Sequence, residues 1–403
     1  MKLYIYENKD VSNLEPISMT RPTFHIRCGA FTCIKRLSKI TPKKFEITFI
    51  VRDELVELMR ELYPGYDVNP TEVFEGIWLL GNVLWSRQDL DRVINGGFHA
   101  YKNDGKVIAA YLSKQEGQSW VNNGGPVKTT LLGIPLIENE LSSPVIEFLW
   151  DAISYASKYI KYDSQFYKMG KIQIKDKKLT LINEEKIYIE ENSEISSSTI
   201  LDASRGEIII EKNVKIGPFC YLIGPLFVGK NTVVQPFTFL RSGTIIGPYS
   251  RIGGEIARTI IQGLTNKVHY GYVGDSYIGE YVNLGAGSTC SNLKNNYNNI
   301  KVDLNGSIIN TKKIKLGSFI GDYTKTAVGT LINAGTVIGL GCNIVSTNFP
   351  PKILPSFSWY INGKNSKYKW NDFISMVEIM KNRKGLIFRN EERKLLEKIY
   401  SEI

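Results

Sequence analysis

Three histidines occur in the 403-residue chain, at His25, His99 and His269, and the third stands in the setting best suited to chemistry. It lies in Asn266-Lys267-Val268-His269-Tyr270-Gly271-Tyr272-Val273-Gly274-Asp275. An imidazole is uncharged near neutral pH and can take a proton from an attacking amine, although a lone histidine also serves structure well. A second candidate is the stretch Thr20-Arg21-Pro22-Thr23-Phe24-His25-Ile26-Arg27-Cys28-Gly29. Two guanidinium groups six residues apart can clamp phosphate through planar paired donors, or form surface ion pairs; residue types alone leave both open. The five cysteines, Cys28, Cys33, Cys220, Cys290 and Cys342, lack metal-ligand spacing and read as reduced thiols of a cytoplasmic protein.

The element that must position His269 is a six-residue repeat. Ile210, Ile216, Leu222, Val228, Val234, Leu240, Ile246 and Ile252 follow one another at every sixth place, and glycine follows four of them, at Gly217, Gly229, Gly247 and Gly253. On an α-helix such residues fall about 240° apart in turn and form no stripe. A continuous strand would not carry a glycine at each repeat. The period fits a β-helix, in which short strands each send one aliphatic side chain into a shared interior. Glycine after the aliphatic suits a corner that needs positive φ. The pattern returns at Ile278 and Leu284, then at Ile314, Ile320, Ile332, Ile338 and Ile344, so the coil covers most of residues 187–347. The 26 residues from Ile252 to Ile278 make four repeats plus two, and His269 lies inside that slip. An irregularity in a stiff coil is where function is expected.

Before the coil, Leu3–Tyr6 and Ile47–Val51 read as strands. The segments 31–38, Glu54–Leu62 and Ser143–Tyr159 read as helices, a βαβ-like alternation over residues 1–185. The arginine-bearing loop follows the first strand, where open α/β sheets carry their ligand loops. After the coil, residues 348–403 begin as a proline-punctuated strap. They end in two helices, near Asn371–Lys384 and Asn390–Ser401, with Asn390 as an N-cap, that cap the coil or pack on a neighbour. Residues with 43% apolar and 22% charged composition describe a globular chain with a real core. No apolar run approaches the ~18 residues of a membrane span, and the first strand is too short and charged for a signal peptide. The net charge of +10 is spread along the chain. That favours phosphate-bearing small substrates over nucleic acid or a membrane surface.

These stretches resemble a known family. Thr20-Arg21-Pro22, Arg27-Cys28-Gly29, Gly76-Ile77-Trp78-Leu79-Leu80-Gly81-Asn82 and Phe148-Leu149-Trp150-Asp151 are similar to a divergent sugar-nucleotidyltransferase branch. The run around His269 resembles the acetyltransferase half of the same family, the bifunctional UDP-N-acetylglucosamine pyrophosphorylase and glucosamine-1-phosphate N-acetyltransferase. So does Asn283-Leu284-Gly285-Ala286-Gly287-Ser288-Thr289-Cys290-Ser291-Asn292. The resemblance implies a shortened Rossmann-like nucleotidyltransferase domain (1–185), a left-handed parallel β-helix with acyltransferase chemistry (186–347), and a helical tail (348–403). It also implies a homotrimer with acetyl-CoA lying between neighbouring coils.

Residue by residue, the resemblance makes His269 the general base. Arg241, Glu255, Tyr272, Asn283 and Asn292 become sugar-phosphate ligands. The Ala286 N–H becomes the donor to the thioester oxygen, and Asp322 joins the acetyl-CoA set. Arg21, Arg27 and Asn82 fall to the nucleotide, and Mg²⁺ is implied without a nameable carboxylate ligand. Two departures are plain. The family's lysine two places after the glutamate is Ala257 here, with Arg258 beside it. Its short loop is replaced by Asn292 through Asn310, so Lys301 or Lys294 must supply the missing cation. Lys325 is either a ligand for the coenzyme phosphates or a solvated face residue. The expected function is acetylation of an amino-sugar 1-phosphate and its joining to a nucleotide. The alternatives are a nucleotidyltransferase whose coil is only an oligomerisation scaffold, or a binding protein with both sites decayed.

Overall fold

A computed structural model describes residues 1–97, 99–129, 131, 137–173 and 179–403. The first domain is a seven-stranded mixed sheet. Lys2–Tyr6 lies at its centre, parallel to Glu46–Ile50 on one side and Gly76–Leu80 on the other. Helices α1 (Cys33–Ile40), α2 (Val56–Leu62), α3 (Arg87–Asn95), α4 (Lys114–Asn122) and α5 (Leu149–Ser164) complete it. All five residues of Gly76–Leu80 are buried, as a strand covered on both faces requires. Asp151 accepts from the N–H groups of Glu147 and Phe148 and so caps the start of α5.

The following residues wind into a parallel β-helix with three flat sides of eight, nine and ten strands. Its interior is stacked aliphatics. One column runs Ile195, Ile216, Val234 and Ile252, each opposite the next. Each such buried side chain contributes about 1.5–3 kcal/mol, which explains why the hexad was the strongest pattern in the sequence. Ile314 departs from it: this residue is 50% exposed, in the segment before Phe319–Ile320, and takes no part in the interior.

The corner glycines also act differently from expectation. Positive φ falls on Phe219, Asn231, Phe237, Tyr249, Tyr281 and Tyr323. Gly247 and Gly253 are required instead by close approach, because a Cβ there would collide with the carbonyls of Gln262 and Val268 on the next rung.

The nine-stranded side is covered by the first domain. Phe227, Ile245, Ile260, Tyr277 and Phe319 point outward from it, yet they are buried in one continuous core with α5 and the N-terminal sheet. The tail helices α6 (Trp370–Arg383) and α7 (Asn390–Glu402) pack at the next corner, where Tyr281 stacks on Tyr323 and Phe373 meets Tyr323 and Phe357. Arg389 occupies the N-cap position of α7 and Asn390 is its first residue. The stretch Asn292 through Asn310, expected as a loop, contains a hairpin of Lys301–Leu304 and Ser307–Asn310, and Ile300, Val302 and Leu304 are buried. No described helix is long and apolar enough to cross a membrane.

Candidate active site

The eight-stranded side carries a column of outward residues fixed by the ladder register. Tyr221 faces Phe239, Phe239 faces Glu255, and Glu255 faces Tyr272. Arg241 extends along this column over the Phe239 ring, 4.9 Å from its centroid, and pairs with Glu255 at 2.7 Å. One rung on, the Tyr272 hydroxyl accepts from Asn292 Nδ2 at 2.9 Å, and the same amide donates to Asp275. Arg258 grips Asp275 with two bonds, of 2.6 and 2.8 Å. Burial pushes the Tyr272 phenol up, so it stays neutral and able to donate. Arg241, Glu255, Tyr272 and Asn292 are thereby brought together on one side of the coil.

His269 is exposed at the corner where the ten-stranded side turns into this one, and Ala286 occupies the matching corner of the next rung. The Ala286 carbonyl accepts from Gly329 at 2.7 Å, while its N–H has no partner among the described residues. Asn283 and Lys325 lie round that corner as register partners on the ten-stranded side. The Lys325 amine contacts Met380 of α6 at 2.8 Å, and burial pushes it down to about 8.

The basic residues of the long segment divide in a way the sequence does not reveal. Lys301 is exposed on the hairpin, and Lys294 donates to the Asn299 carbonyl. Lys313 and Lys315 instead line a cavity of about 320 Å³ with Arg258, Asp275, Ser154 and Ser157. Lys313 reaches Ser154 of α5 at 2.7 Å, and Leu316 N–H bonds the Asn292 carbonyl at 2.9 Å. This cationic cavity adjoins the Asp275–Asn292–Tyr272 network. The sequence offered Lys301 or Lys294 as the cation of this segment, because residue types alone do not show which lysine the returning chain brings back to the coil.

The arginines of the first domain are committed elsewhere. Arg21 pairs with Asp322 and, at 3.3 Å, with Glu280, both from the coil. Asp322 also accepts from Thr20 Oγ1 and, at 2.7 Å, from the Glu280 N–H, so this buried carboxylate is part of the domain junction. Arg27 donates through Nε to the Gln262 carbonyl at 3.1 Å and through its backbone N–H to the Tyr277 hydroxyl at 2.8 Å. Asn82 is buried, bonded to the Ile146 carbonyl at 2.8 Å, with Oδ1 unpartnered among the described residues.

The crevice at the carboxyl ends of the central strands is filled from within. The Glu7 carboxylate accepts from Thr23 N–H, Arg52 N–H and the Arg52 guanidinium, at 2.8, 3.1 and 2.7 Å. Phe24 packs on Gly81 and stacks on Phe49. Arg21 and Arg27 are thus both bonded to residues of the coil in this structure.

A larger cavity, about 580 Å³, lies between the first domain, the coil and α7. Much of its charge is already matched: Arg21 by Asp322 and Glu280, Lys381 by Glu392, and Arg389 by Glu61. Glu280 and Asp322 share the single guanidinium of Arg21. Among the described residues no three His, Cys, Asp or Glu side chains stand close enough to hold a metal.

Residues 3–172 match the sugar nucleotidyl transferase family. A bifunctional sugar-1-phosphate nucleotidylyltransferase/acetyltransferase of Sulfurisphaera tokodaii is 36% identical over 137 residues, 34% of each chain. The bifunctional protein GlmU of Thermotoga sp. (strain RQ2) is 27% identical over 263 residues, 55% of this chain and 56% of that one. GlmU of Acaryochloris marina is 28% identical over 204 residues, 45% and 41%. The chain thus spans from a third to about half the length of these curated relatives. Among solved structures, a UDP-N-acetylglucosamine acyltransferase aligns over 56% of this chain and 80% of its own, at 14% identity and TM-score 0.24.

Proposed function

We propose that the coil transfers an acetyl group from acetyl-CoA to the amine of an amino-sugar 1-phosphate, of the glucosamine 1-phosphate type. The observation that carries this reading is the joining of Arg241, Glu255, Tyr272 and Asn292 on one side of the coil, one corner away from an exposed His269. A scaffold has no need of such a set. His269 takes the proton as the amine nitrogen attacks the thioester carbonyl. The Ala286 N–H steadies the oxyanion, an effect worth ~3 kcal/mol at comparable sites. The new C–N bond forms, the C–S bond breaks, and the departing thiolate takes up the proton. Amine and phosphate sit on adjacent sugar carbons, so the phosphate stays within reach of Arg241, Arg258, Lys313 and Lys315, which together carry the charge a dianion needs.

The first domain, on this proposal, joins the sugar 1-phosphate to a nucleotide with release of pyrophosphate, using a divalent metal such as Mg²⁺. That half rests on the family match over residues 3–172 and on no side-chain arrangement described above. The proposal includes a homotrimer in which a neighbouring coil walls the His269 corner and holds acetyl-CoA, and a cytoplasmic setting. Thiol release from acetyl-CoA with glucosamine 1-phosphate tests the first half. Pyrophosphate release with UTP, dTTP or GTP tests the second. Thiol release without pyrophosphate release would leave acetyl transfer as the chain's activity. The reverse would leave the coil as a scaffold.

A further inference from the structure

We propose that Lys267, a cation sealed inside the coil, is the positioning residue that holds His269 in place; the inference rests on the acetyl-transfer reading. Lys267 stands in the interior column, opposite Ile252, where every preceding rung carries an aliphatic residue. It is 2% exposed, and its Nζ donates to the carbonyls of Gly253 and His269, each at 2.8 Å. Burial pushes this ammonium down to about 8, so it remains largely protonated near neutrality.

The need for it follows from how the corners stack. Between the ten- and eight-stranded sides, most corners have four residues, as at 217–220, 235–238, 268–271 and 285–288. The corner between Ile252 and Glu255 has only Gly253 and Gly254. This short corner is the largest part of the slip. The interior positions Ile252, Ile256, Ile261, Lys267, Val273 and Ile278 follow one another at steps of 4, 5, 6, 6 and 5 residues, five repeats, three of them shortened, where the sequence suggested four and a remainder. The short corner leaves the next one, Val268 to Gly271, standing out over a notch.

At two other corners the second carbonyl accepts from the third N–H of the next rung's corner: Pro218 from Phe237 and Ala286 from Gly329. At the slip the corresponding N–H, from Gly287, bonds Tyr270 instead. The His269 carbonyl is left without a backbone donor, and the Lys267 ammonium supplies one. The glycine pair makes room: a Cβ on Gly254, whose φ is +74°, would come within 2.9 Å of Lys267 Nζ. An aliphatic residue at 267 would suit the column but take the donor from two carbonyls, one buried and one part-buried, and the backbone that aims the imidazole would relax.

The test compares wild type, Lys267→Met and Lys267→Gln, each also in a His269→Ala background, by thiol release from acetyl-CoA with glucosamine 1-phosphate. Lys267→Met is expected to lower kcat about 10- to 100-fold while KM for the sugar phosphate moves less than about twofold. Lys267→Gln keeps an N–H donor and recovers part of the loss; it also carries the test if the Met variant does not fold. In the His269→Ala background the same Lys267→Met change is expected to move kcat less than about twofold, because a residue acting through another has nothing left to act on. Equal losses in both backgrounds, or a loss carried by KM, would overturn the proposal. A wild-type chain that releases no thiol defeats the acetyl-transfer reading itself, and a His269→Ala variant that keeps full activity overturns the proposal by removing His269 as the base. A His269→Ala deficit beside an unimpaired Lys267→Met defeats only the role of Lys267.

Discussion

The crevice of the first domain and the open side of the coil are built from the same kinds of side chain, and they end in opposite states. In the crevice Glu7 and Arg52 face each other with Phe24 wedged alongside, and at the domain junction Arg21 meets Asp322 with side chains 10% and 3% exposed. On the coil Arg241 meets Glu255 with side chains 50% and 35% exposed. Removing one partner of a buried pair costs about 3–5 kcal/mol, because the other charge stays behind without a counter-charge. An exposed pair is worth ~0–1 kcal/mol, so an incoming phosphate can displace it almost freely. An arginine motif in sequence does not by itself mark a ligand site; depth of burial separates an arginine that fastens domains from one able to greet a substrate.

That contrast can be broken, most severely at Arg21. Arg21→Ala is expected to lower the stability of the chain by about 3–5 kcal/mol in chemical denaturation, with Asp322 and Glu280 left uncompensated. A stability unchanged by the substitution would mean that the junction is not held by this pair. Phe24→Ala should cost a similar ~3–5 kcal/mol, as expected for emptying a packed aromatic site. A smaller loss, together with a gain in nucleotide binding, would instead expose a working crevice.

On the open side the effects belong to catalysis. Lys313→Ala with Lys315→Ala should raise KM for glucosamine 1-phosphate about tenfold, the scale of one lost charge-assisted contact, while the fold is retained. An unchanged KM would remove the corner cavity from the site. Lys301→Ala should move KM less than about twofold, since that side chain projects from the hairpin into solvent.

Much of this was legible in the sequence, for physical reasons that differ by region. The hexad reads directly because each rung buries one aliphatic residue; Glu255 and Tyr272 come together because they share a register position with Phe239, and Arg241 reaches them through its side chain. Ile314 misled because periodicity cannot tell an interior aliphatic from an exposed one of the same phase. The glycines were required by close approach between rungs, a distance no single repeat encodes. Lys313 and Lys315 were missed because the hairpin at 301–310 folds the chain back, and only three-dimensional closure shows where its end arrives. The docking of Arg21 on Asp322 joins residues some 300 positions apart, which no local pattern anticipates.

The rate of thiol release by the His269→Ala chain, at saturating acetyl-CoA and glucosamine 1-phosphate, goes most directly to the central claim that the coil's irregular corner holds the base. A fall of at least ~100-fold relative to wild type is predicted, the usual contribution of general base catalysis. A variant releasing thiol at the wild-type rate would contradict it.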